Sequence, residues 1–422
     1  MRILALAPLA LLFPVAAQAQ EKPDPAKLKA SVEKLVSFGT RHTLSDPDNP
    51  TRGIGAARRW FAGELSKIGD QCDCIDVANV ARTFTGPRAP NGVEIVDVLG
   101  FQPGTDPKRV VIVMGHIDSR VTDVMNATAD APGANDDASG VALVLEAARI
   151  LSKQKFRATI VYAALSGEEQ GLYGGQLLAE TAKERGWTVT AVLNNDIVGN
   201  TIGTNGQKVA DRVRVFSETF GENDEPAALK GLRADGGEDD GPSRALAKAI
   251  DQVAGKIPGG LDAFLVRRPD RFGRGGDHTP FLKLGYPAVR FSVGVENYDA
   301  QHQDIVPGKG DTIDKMDFPY LAKVTAINVA TIRRLASAPA APDKVMIGGA
   351  LAADTSVKWA AVPGAVKYRI HWRRADAQGW TNQLDVTGTE ASLKGVVVDD
   401  SFVGVSAIGA DGGESLVTFG RR

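Results

Sequence analysis

Short, mostly apolar segments alternate with longer segments of helical periodicity between residues 110 and 291. The segments with the length of a buried strand are Val110 to Met114, Thr159 to Ala164, Ala191 to Leu193 and Ala288 to Phe291. Helical spacing occurs between them, as in Ala138 to Leu151 and Ser243 to Val253. Strands that are apolar on both faces and alternate with helices predict an α/β fold, with a mostly parallel central sheet and helices on both faces.

Helical periodicity also flanks this region. It predicts one helix around Leu28 to Val36, a second around Ile54 to Ile68, and a closing helix from about Met316 to Leu335. Residues 336–342 are rich in Ala and Pro, which is typical of a linker. We therefore place one domain at residues 20–338 and a second at residues 339–422.

The pattern changes in residues 339–422, where apolar and polar residues alternate between Gly, Pro and Asp turns. Such alternation without helical segments predicts a small all-β sandwich. The order of Trp359 in one strand and Tyr368 in the next resembles a fibronectin type III domain. Such a module is a candidate for binding a polymer or an envelope component, and a plain structural cap on the first domain is the other interpretation.

The long apolar run of the chain is at its beginning. Arg2 precedes the apolar residues Ile3 to Val15, and Ala17-Gln18-Ala19 has the small residues of a cleavage site. This pattern predicts a signal peptide at residues 1–19. Pro8 and Pro14 interrupt the run, which disfavours the alternative of a retained membrane anchor. We expect an exported protein, periplasmic or extracellular, whose mature chain has no membrane span.

The amino-acid composition limits the kinds of partner and of cross-link that the protein can have. The 422 residues contain 49 Lys and Arg against 51 Asp and Glu, so no basic excess exists to bind a nucleic acid backbone. Cys72 and Cys74 are the two cysteines, too few for a disulfide-built fold. We favour a local disulfide between them over a metal or redox role.

Polar residues with metal-binding chemistry follow the predicted strands. His116 ends the first strand, and Asp118 comes two residues later, where it could orient the imidazole. Further acids lie in the turn Gly133 to Gly140, in the pair Glu168-Glu169 after the second strand, and at Asp196 after the third.

Taken singly, a strand-end histidine or a helix-capping acid is commonly structural. Together, carboxylates crowded at one edge of a sheet would repel one another unless a cation compensated them. Carboxylates with imidazole favour zinc, with Mn or Co as substitutes. The chain has no Gly-x-Ser-x-Gly or His-Glu-x-x-His motif, so dispersed strand-end ligands must carry the chemistry.

Two later motifs also combine histidine with acidic residues. They are Gly276-Asp277-His278-Thr279-Pro280-Phe281 and Gln301-His302-Gln303-Asp304. With them, residues 28–335 resemble the secreted two-zinc aminopeptidases related to bacterial leucyl aminopeptidase and glutamate carboxypeptidase. The resemblance implies that residues 20–338 form a zinc exopeptidase catalytic domain with two zinc ions. The implied metal ligands are His116, Asp136, Glu169, Asp196 and His302.

The same resemblance assigns roles. Asp136 bridges the two ions, His116 and Asp196 complete one, and Glu169 and His302 complete the other. Glu168 is the general base that activates the attacking water, and Asp118 orients His116. The resemblance also implies a cis peptide bond between Asp136 and Asp137.

Two departures from the family pattern are present. His302 lies between two glutamines rather than in the Tyr-His-Thr context of many relatives, and His278 is its rival as ligand. Arg271 and Arg274 stand where relatives have a tyrosine that stabilises the oxyanion.

We interpret His42 as structural and His371 as a surface residue.

The resulting hypothesis is an exported two-zinc aminopeptidase that hydrolyses N-terminal residues from peptides. A metallo-carboxypeptidase acting on acidic peptides and a one-zinc glutaminyl cyclase-like enzyme are the enzymatic alternatives. A binding or adhesion protein on the same fold is the non-enzymatic alternative.

Overall fold

The structure is a computed structural model that describes residues 21–221 and 225–422. The predicted signal peptide lies outside the described residues. The helices are α1 Pro25–Val36, α2 Gly53–Cys72, α3 Ala138–Leu151, α4 Glu168–Gly171, α5 Tyr173–Glu184, α6 Pro226–Ala234, α7 Pro242–Ala254, α8 Thr279–Lys283 and α9 Phe318–Ser337. In these ranges, none of the helices combines the length and the apolar character required to cross a bilayer.

The larger domain is built on an eight-stranded sheet with the order β1-β2-β4-β3-β5-β8-β6-β7. Its strands are β1 Asp76–Gly86, β2 Ala89–Gln102, β3 Asp106–His116, β4 Ala158–Leu165, β5 Thr188–Asn195, β6 Arg212–Phe216, β7 Asp262–Val266 and β8 Ala288–Val293. The central pairs β4-β3, β3-β5 and β5-β8 are parallel. This arrangement confirms the predicted α/β fold.

The continuous apolar runs arise because both faces of the central strands are covered. Successive residues of β3 alternate between two cores: Val111 and Val113 pack on the side of α3 and α9, whereas Ile112 and Met114 pack on the side of α5 and α8. All four are fully buried. At about 25 cal/mol per Å² of apolar surface removed from water, this two-sided burial is a major stabilising contribution.

Residues beyond α9 form two antiparallel sheets, as the alternation predicts. Their orders are β13-β10-β9 and β12-β11-β14-β15. The strands are β9 Val345–Gly348, β10 Thr355–Trp359, β11 Lys367–Arg374, β12 Asn382–Val386, β13 Glu390–Leu393, β14 Ser401–Ile408 and β15 Thr418–Phe419. Trp359 and Tyr368 pack edge to face in the core between the sheets, with ring centres 5.3 Å apart. The likeness to fibronectin type III stays a prediction.

Some local features differ from the expectations and others agree. The β1-β2 hairpin has no counterpart in the prediction because β1 is largely exposed and lacks an apolar run. The acidic segment before α7 contains α6 in its described part, and Asp240 is buried against Lys248 and Arg373. The predicted disulfide between Cys72 and Cys74 is present.

Candidate metal centre

The carboxyl ends of three neighbouring strands bring most of the predicted ligands together. β3 ends at His116, and Asp196 directly follows β5. β4 leads through a short turn into α4, which begins with Glu168 and Glu169. Because β4, β3 and β5 are parallel neighbours, these side chains lie at one edge of the sheet.

The turn before α3 contributes two adjacent acids with different surroundings. Asp137 is the N-cap residue of α3, and its carboxylate accepts hydrogen bonds from the backbone N–H groups of Gly140 and His116, both at 3.0 Å. Asp136 instead approaches His116 and His302. The peptide bond between the two acids is cis. The same turn therefore caps a helix and supplies a side chain to the site.

Asp136 contacts two separate groups of potential ligands through its two oxygens. Its Oδ1 lies 3.0 Å from His116 Nε2, which is 3.9 Å from Asp196 Oδ1. Its Oδ2 lies 2.9 Å from His302 Nε2, which is 3.0 Å from Glu169 Oε1. In each group the potential ligating atoms all lie within 4.8 Å of one another. The structure thus brings together all five residues predicted to bind metal.

The donor atoms of this cluster fit a metal ion. His116 Nε2 and Glu169 Oε1 are buried and form no hydrogen bond, although other polar atoms lie close to both. A buried polar atom without a hydrogen bond costs free energy unless another partner compensates it. Imidazole nitrogens and carboxylate oxygens are ligands that zinc takes in catalytic sites.

Charges in the cluster are strongly coupled. Burial opposes protonation of His116, but Asp118, Asp136 and Asp196 outweigh burial and raise its pKa well above the ordinary value. Burial also opposes ionisation of Asp136, whereas the two histidines hold its pKa well below the ordinary value. Each charge is therefore stabilised by its neighbours rather than by solvent.

Glu168 lies beside the two ligand groups and belongs to neither. It lines the cavity at the sheet edge together with Asp136, Glu169 and Asp196. Burial and repulsion from nearby acids raise the pKa of Glu168 well above the ordinary value, although the charge of His116 opposes this shift. A carboxyl group with a raised pKa is suited to accepting and returning a proton.

Asp118 supports the site in more ways than the sequence indicated. Its carboxylate Oδ1 is 3.5 Å from His116 Nδ1, while its backbone carbonyl is closer, at 3.1 Å. Its carboxylate also accepts hydrogen bonds from the backbone N–H groups of Glu168 and Glu169 and from the Thr43 hydroxyl. Asp118 therefore holds the beginning of α4 as well as the imidazole.

Asp311, Arg120 and Arg290 support the candidate site, and these roles were not predicted from the sequence. Asp311 accepts hydrogen bonds from the backbone N–H groups of Asn135 and Asp136 and so fixes the turn before α3. Arg120 contacts Glu169 Oε2 at 2.8 Å and His302 Nδ1 at 2.6 Å.

Arg290 is fully buried, and its Nη2 lies 2.7 Å from Asp196 Oδ1. It also contacts Asp270, at 3.3 Å, but its shorter contact is to Asp196, a potential ligand. An arginine inside an otherwise apolar strand was the signal in the sequence.

The remaining histidines of this domain are outside both ligand groups. His42 Nε2 contacts the Val124 carbonyl at 2.9 Å, in agreement with a structural role. His278 Nε2 contacts the Pro269 carbonyl at 2.7 Å, and the ring is fully buried. Of the two rival histidines, the structure places His302 beside Asp136 and Glu169.

Comparison with known proteins agrees with this geometry. The family model of Peptidase family M28 matches residues 97–332, which include the five potential ligands. The chain belongs to peptidase family M28. A probable zinc metalloprotease of Leptosphaeria maculans is 42% identical over 411 residues, covering 94% of this chain and 95% of the relative. A probable zinc metalloprotease of Pyricularia oryzae is 43% identical over 419 residues, covering 94% and 82%.

Solved structures of distant sequence share the fold of this M28 chain. The LapA aminopeptidase of Legionella pneumophila has a TM-score of 0.53 at 19% identity, covering 75% of this chain and 72% of that protein. A glutaminyl cyclase of Porphyromonas gingivalis has a TM-score of 0.53 at 18% identity, covering 74% and 99%. Peptidases and cyclases thus share this architecture, so the fold alone does not decide between the two reactions.

Proposed function

We propose that this M28 zinc peptidase is an exported two-zinc aminopeptidase that removes N-terminal residues from peptides. The proposed ligands are Asp136 as the bridge, His116 and Asp196 on one side, and Glu169 and His302 on the other. Glu168 is the proposed general base. Asp118 is the proposed positioning residue for His116 and for the start of α4.

The division of Asp136 between two ligand groups carries the two-ion part of the proposal. Each of its carboxylate oxygens approaches a different histidine, at 3.0 and 2.9 Å. Two-metal hydrolytic sites need a ligand that can reach both ions. A one-metal site would need only one of the two groups.

The chemistry follows from the positions of the side chains. Zinc bound by these ligands would lower the pKa of an attacking water and polarise the peptide carbonyl. Glu168, whose pKa is raised by burial, accepts the proton of the water and then delivers it to the leaving amine. Glu169 is not available for this role, because its Oε2 accepts a hydrogen bond from Arg120 and its Oε1 lies in the ligand group of Asp136 and His302.

Aminopeptidase activity and export have separate support. Aminopeptidases of Legionella pneumophila and Aneurinibacillus are among the structural neighbours. The signal-like sequence of residues 1–19 supports export, and the disulfide between Cys72 and Cys74 agrees with an oxidising compartment.

A carboxypeptidase is the second candidate, and one observation favours it. The four carboxylates lining the cavity are those of Asp136, Glu168, Glu169 and Asp196, all of which have proposed roles. Among the described lining residues, no further acid is left to bind a free amine, whereas four arginines line the same cavity. A glutaminyl cyclase-like enzyme would differ in its metal content.

The test is a panel of free and N-blocked aminoacyl arylamides, together with N-blocked peptides that have a free carboxyl end. The purified mature chain is assayed before chelation, after it, and after zinc is restored, with its zinc content measured each time. Cleavage of free-amine substrates only, lost and regained with about two zinc ions per chain, supports the proposal. Cleavage of the N-blocked peptides only supports the carboxypeptidase, and cyclisation with one ion per chain supports the cyclase.

A further inference from the structure

The cavity beside the candidate metal centre has an unusual charge distribution. Its volume is about 340 Å³. Its lining includes four of the five potential metal ligands and Glu168, together with the arginines Arg88, Arg120, Arg271 and Arg274. Two zinc ions would offset the four carboxylates of this lining, which leaves the arginines as the dominant charge that a substrate meets.

Two of these arginines are committed to the metal centre. Arg88 Nη1 donates a hydrogen bond to the Glu169 carbonyl at 2.7 Å. Arg120 contacts the Glu169 carboxylate and the His302 ring. Both therefore hold potential ligands in place, and the search for a substrate contact narrows to Arg271 and Arg274.

Arg271 has an unused donor in the cavity wall. Its side chain is 8% exposed. Its Nε donates to Asp270 Oδ1 at 3.0 Å and its Nη2 donates to the Gly275 carbonyl at 3.3 Å. Its Nη1 is buried and has no hydrogen-bond partner, because the nearest carboxylate, that of Glu296, is 3.6 Å away. A buried guanidinium donor without a partner is costly unless a ligand accepts from it.

Arg274 stands next to it on the same segment and is more accessible, with 32% of its side chain exposed. Its Nη1 donates to Glu296 Oε2 at 3.0 Å and more weakly to Gln301 Oε1 at 3.3 Å. Glu296 is shared, since Arg214 also donates to it at 2.7 Å. One carboxylate therefore serves three arginines, and Asp270 serves both Arg271 and Arg290. The two acids, Glu296 and Asp270, are therefore fewer than the arginines that they contact.

We propose that Arg271 and Arg274 form a subsite for a substrate carboxylate next to the scissile bond. A guanidinium group pairs with a carboxylate through directed, charge-assisted hydrogen bonds. The carboxylate has two possible sources: the side chain of an N-terminal Asp or Glu, or the α-carboxylate of a C-terminal residue. The substrate class is therefore peptides that present an anion at the residue being released. This inference rests on the proposed exopeptidase function.

The experiment measures binding, so that it does not depend on turnover. Calorimetry on the zinc-loaded chain carrying Glu168→Gln, which should bind the amide probes without hydrolysing them, compares two pairs of small probes that differ in one carboxylate. Leucine against leucinamide tests the α-carboxylate, and glutamic acid α-amide against glutaminamide tests the side-chain carboxylate. We expect the acid to bind about tenfold or more tightly than its amide in at least one pair, as for a hydrogen-bonded charge.

Substitutions test which arginine causes the preference for the acid probe over its amide. Arg271→Met should reduce the acid-to-amide ratio to within about twofold of unity, and Arg271→Lys should retain part of it because lysine keeps the charge but loses the planar fork. Arg274→Met, at a more exposed side chain, should lower the ratio by a smaller factor and is the second variant if Arg271→Met does not fold. Arg374→Met is the matched control, because Arg374 pairs only with exposed Asp376 in the sandwich. Circular dichroism and zinc content check each variant.

The outcomes distinguish the proposed carboxylate subsite from the proposed exopeptidase function. Equal binding of acid and amide in both pairs would overturn the carboxylate subsite, and so would a preference that survives in both Arg271→Met and Arg274→Met. A preference that the arginine variants abolish, when the chain with Glu168 intact cleaves no peptide, would support the subsite while rejecting the exopeptidase.

Discussion

Two buried clusters of histidine and carboxylate in this molecule differ in how their charges are compensated. In the sandwich, His371 is 3% exposed, and its Nε2 lies 2.9 Å from the Ser406 hydroxyl and 3.2 Å from Glu414 Oε1. Glu414 also pairs with Arg369 at 2.9 Å and with Arg334 of α9 at 3.4 Å. Arginine side chains of the protein itself therefore compensate the carboxylate charge of this cluster.

The metal centre contains the same kinds of groups with a different balance. His116 is 1% exposed and faces the carboxylates of Asp118, Asp136 and Asp196. Its Nε2 has no hydrogen-bond partner, whereas His371 Nε2 is paired with a hydroxyl. Carboxylates outnumber the cationic side chains around these histidines, and a bound metal ion would compensate this imbalance.

The difference shows what distinguishes a binding site from a structural cluster. Burial of histidine beside a carboxylate is common to both places, so burial alone does not indicate a metal. Unpaired donor atoms that converge from several strand ends do indicate one. The interpretation of His371 as a surface residue was wrong: the ring is buried beside Ser406, Glu414 and Trp380, and the local sequence carries no signal of these contacts.

Removing Asp136, the proposed shared ligand, should have the largest effect on zinc content and turnover. Asp136→Ala removes both oxygens that approach the histidines, so we expect zinc content to fall from about two ions per chain to below one. Turnover should fall by a factor on the order of 1,000 or more, because metal stabilisation of the transition state amounts to several kcal/mol. Elemental analysis after gel filtration measures the zinc.

His371→Gln is the matched control, since it alters the compensated cluster and should leave both zinc ions in place. A variant of Asp136 that kept two ions would contradict the bridging role, and loss of zinc in His371→Gln would remove the contrast between the clusters.

The role proposed for Glu168 as general base can be tested separately from the proposed metal ligands. Glu168→Gln should keep both zinc ions and lower turnover by a factor on the order of 100 to 10,000, the range for a lost proton-transfer group. Steady-state kinetics together with zinc analysis measures this. The control is Glu33→Gln, at an exposed glutamate of α1. Turnover within about threefold of the parent would exclude the assigned role, and loss of zinc would make Glu168 a ligand.

Asp118→Asn should have a smaller effect, about 10- to 100-fold on zinc affinity or turnover, as for residues that orient metal ligands. The backbone carbonyl that contacts His116 Nδ1 remains, but the carboxylate charge and one of the acceptors for the N–H groups of α4 are lost. Competition with a zinc-sensitive dye measures the affinity. Thr43→Val, which removes only the hydroxyl donor to Asp118, is the control. Equal effects of the two variants would show that the carboxylate charge has no part in positioning.

Sequence reasoning reached the strand-end part of the site because chain order and a parallel sheet fix it together. His116, Glu168, Glu169 and Asp196 follow strands that become neighbours, so their positions along the chain already imply proximity. His302 is different: it lies in an irregular segment between β8 and α9 with a φ of 57°, and only the family resemblance indicated it.

The supporting residues could not be predicted because their partners are distant in sequence. Asp311 contacts backbone groups 175 and 176 residues away, and Arg120 contacts a histidine 182 residues away. No local periodicity encodes such contacts. The β1-β2 hairpin was missed for a different reason: β1 is an edge strand with few buried positions, so the apolar signal of a strand is weak there.

The smallest effect concerns the compensated cluster and should appear in stability rather than in catalysis. Burial opposes ionisation of Glu414, but the hydrogen bond from His371 and the charge of Arg334 outweigh it and lower the pKa of Glu414 to about 2. The unfolded value is about 4.3. Since the folded state holds the lower pKa, the ionised carboxylate stabilises the fold above about pH 4.3, and this contribution is lost as pH falls towards 2.

Glu414→Gln should therefore lower the melting temperature of the metal-free chain by a few degrees at pH 6, and the difference from the parent should shrink as the pH falls from about 5 to 2. Scanning calorimetry across this range measures it. Glu390→Gln, at an exposed glutamate of the same sandwich whose side chain is 3.8 Å from Lys358, is the matched control and should change little. A difference that stays constant with pH would mean that Glu414 stabilises the sandwich by packing alone, and its arginines would then not act as the built-in counterpart of the metal ions.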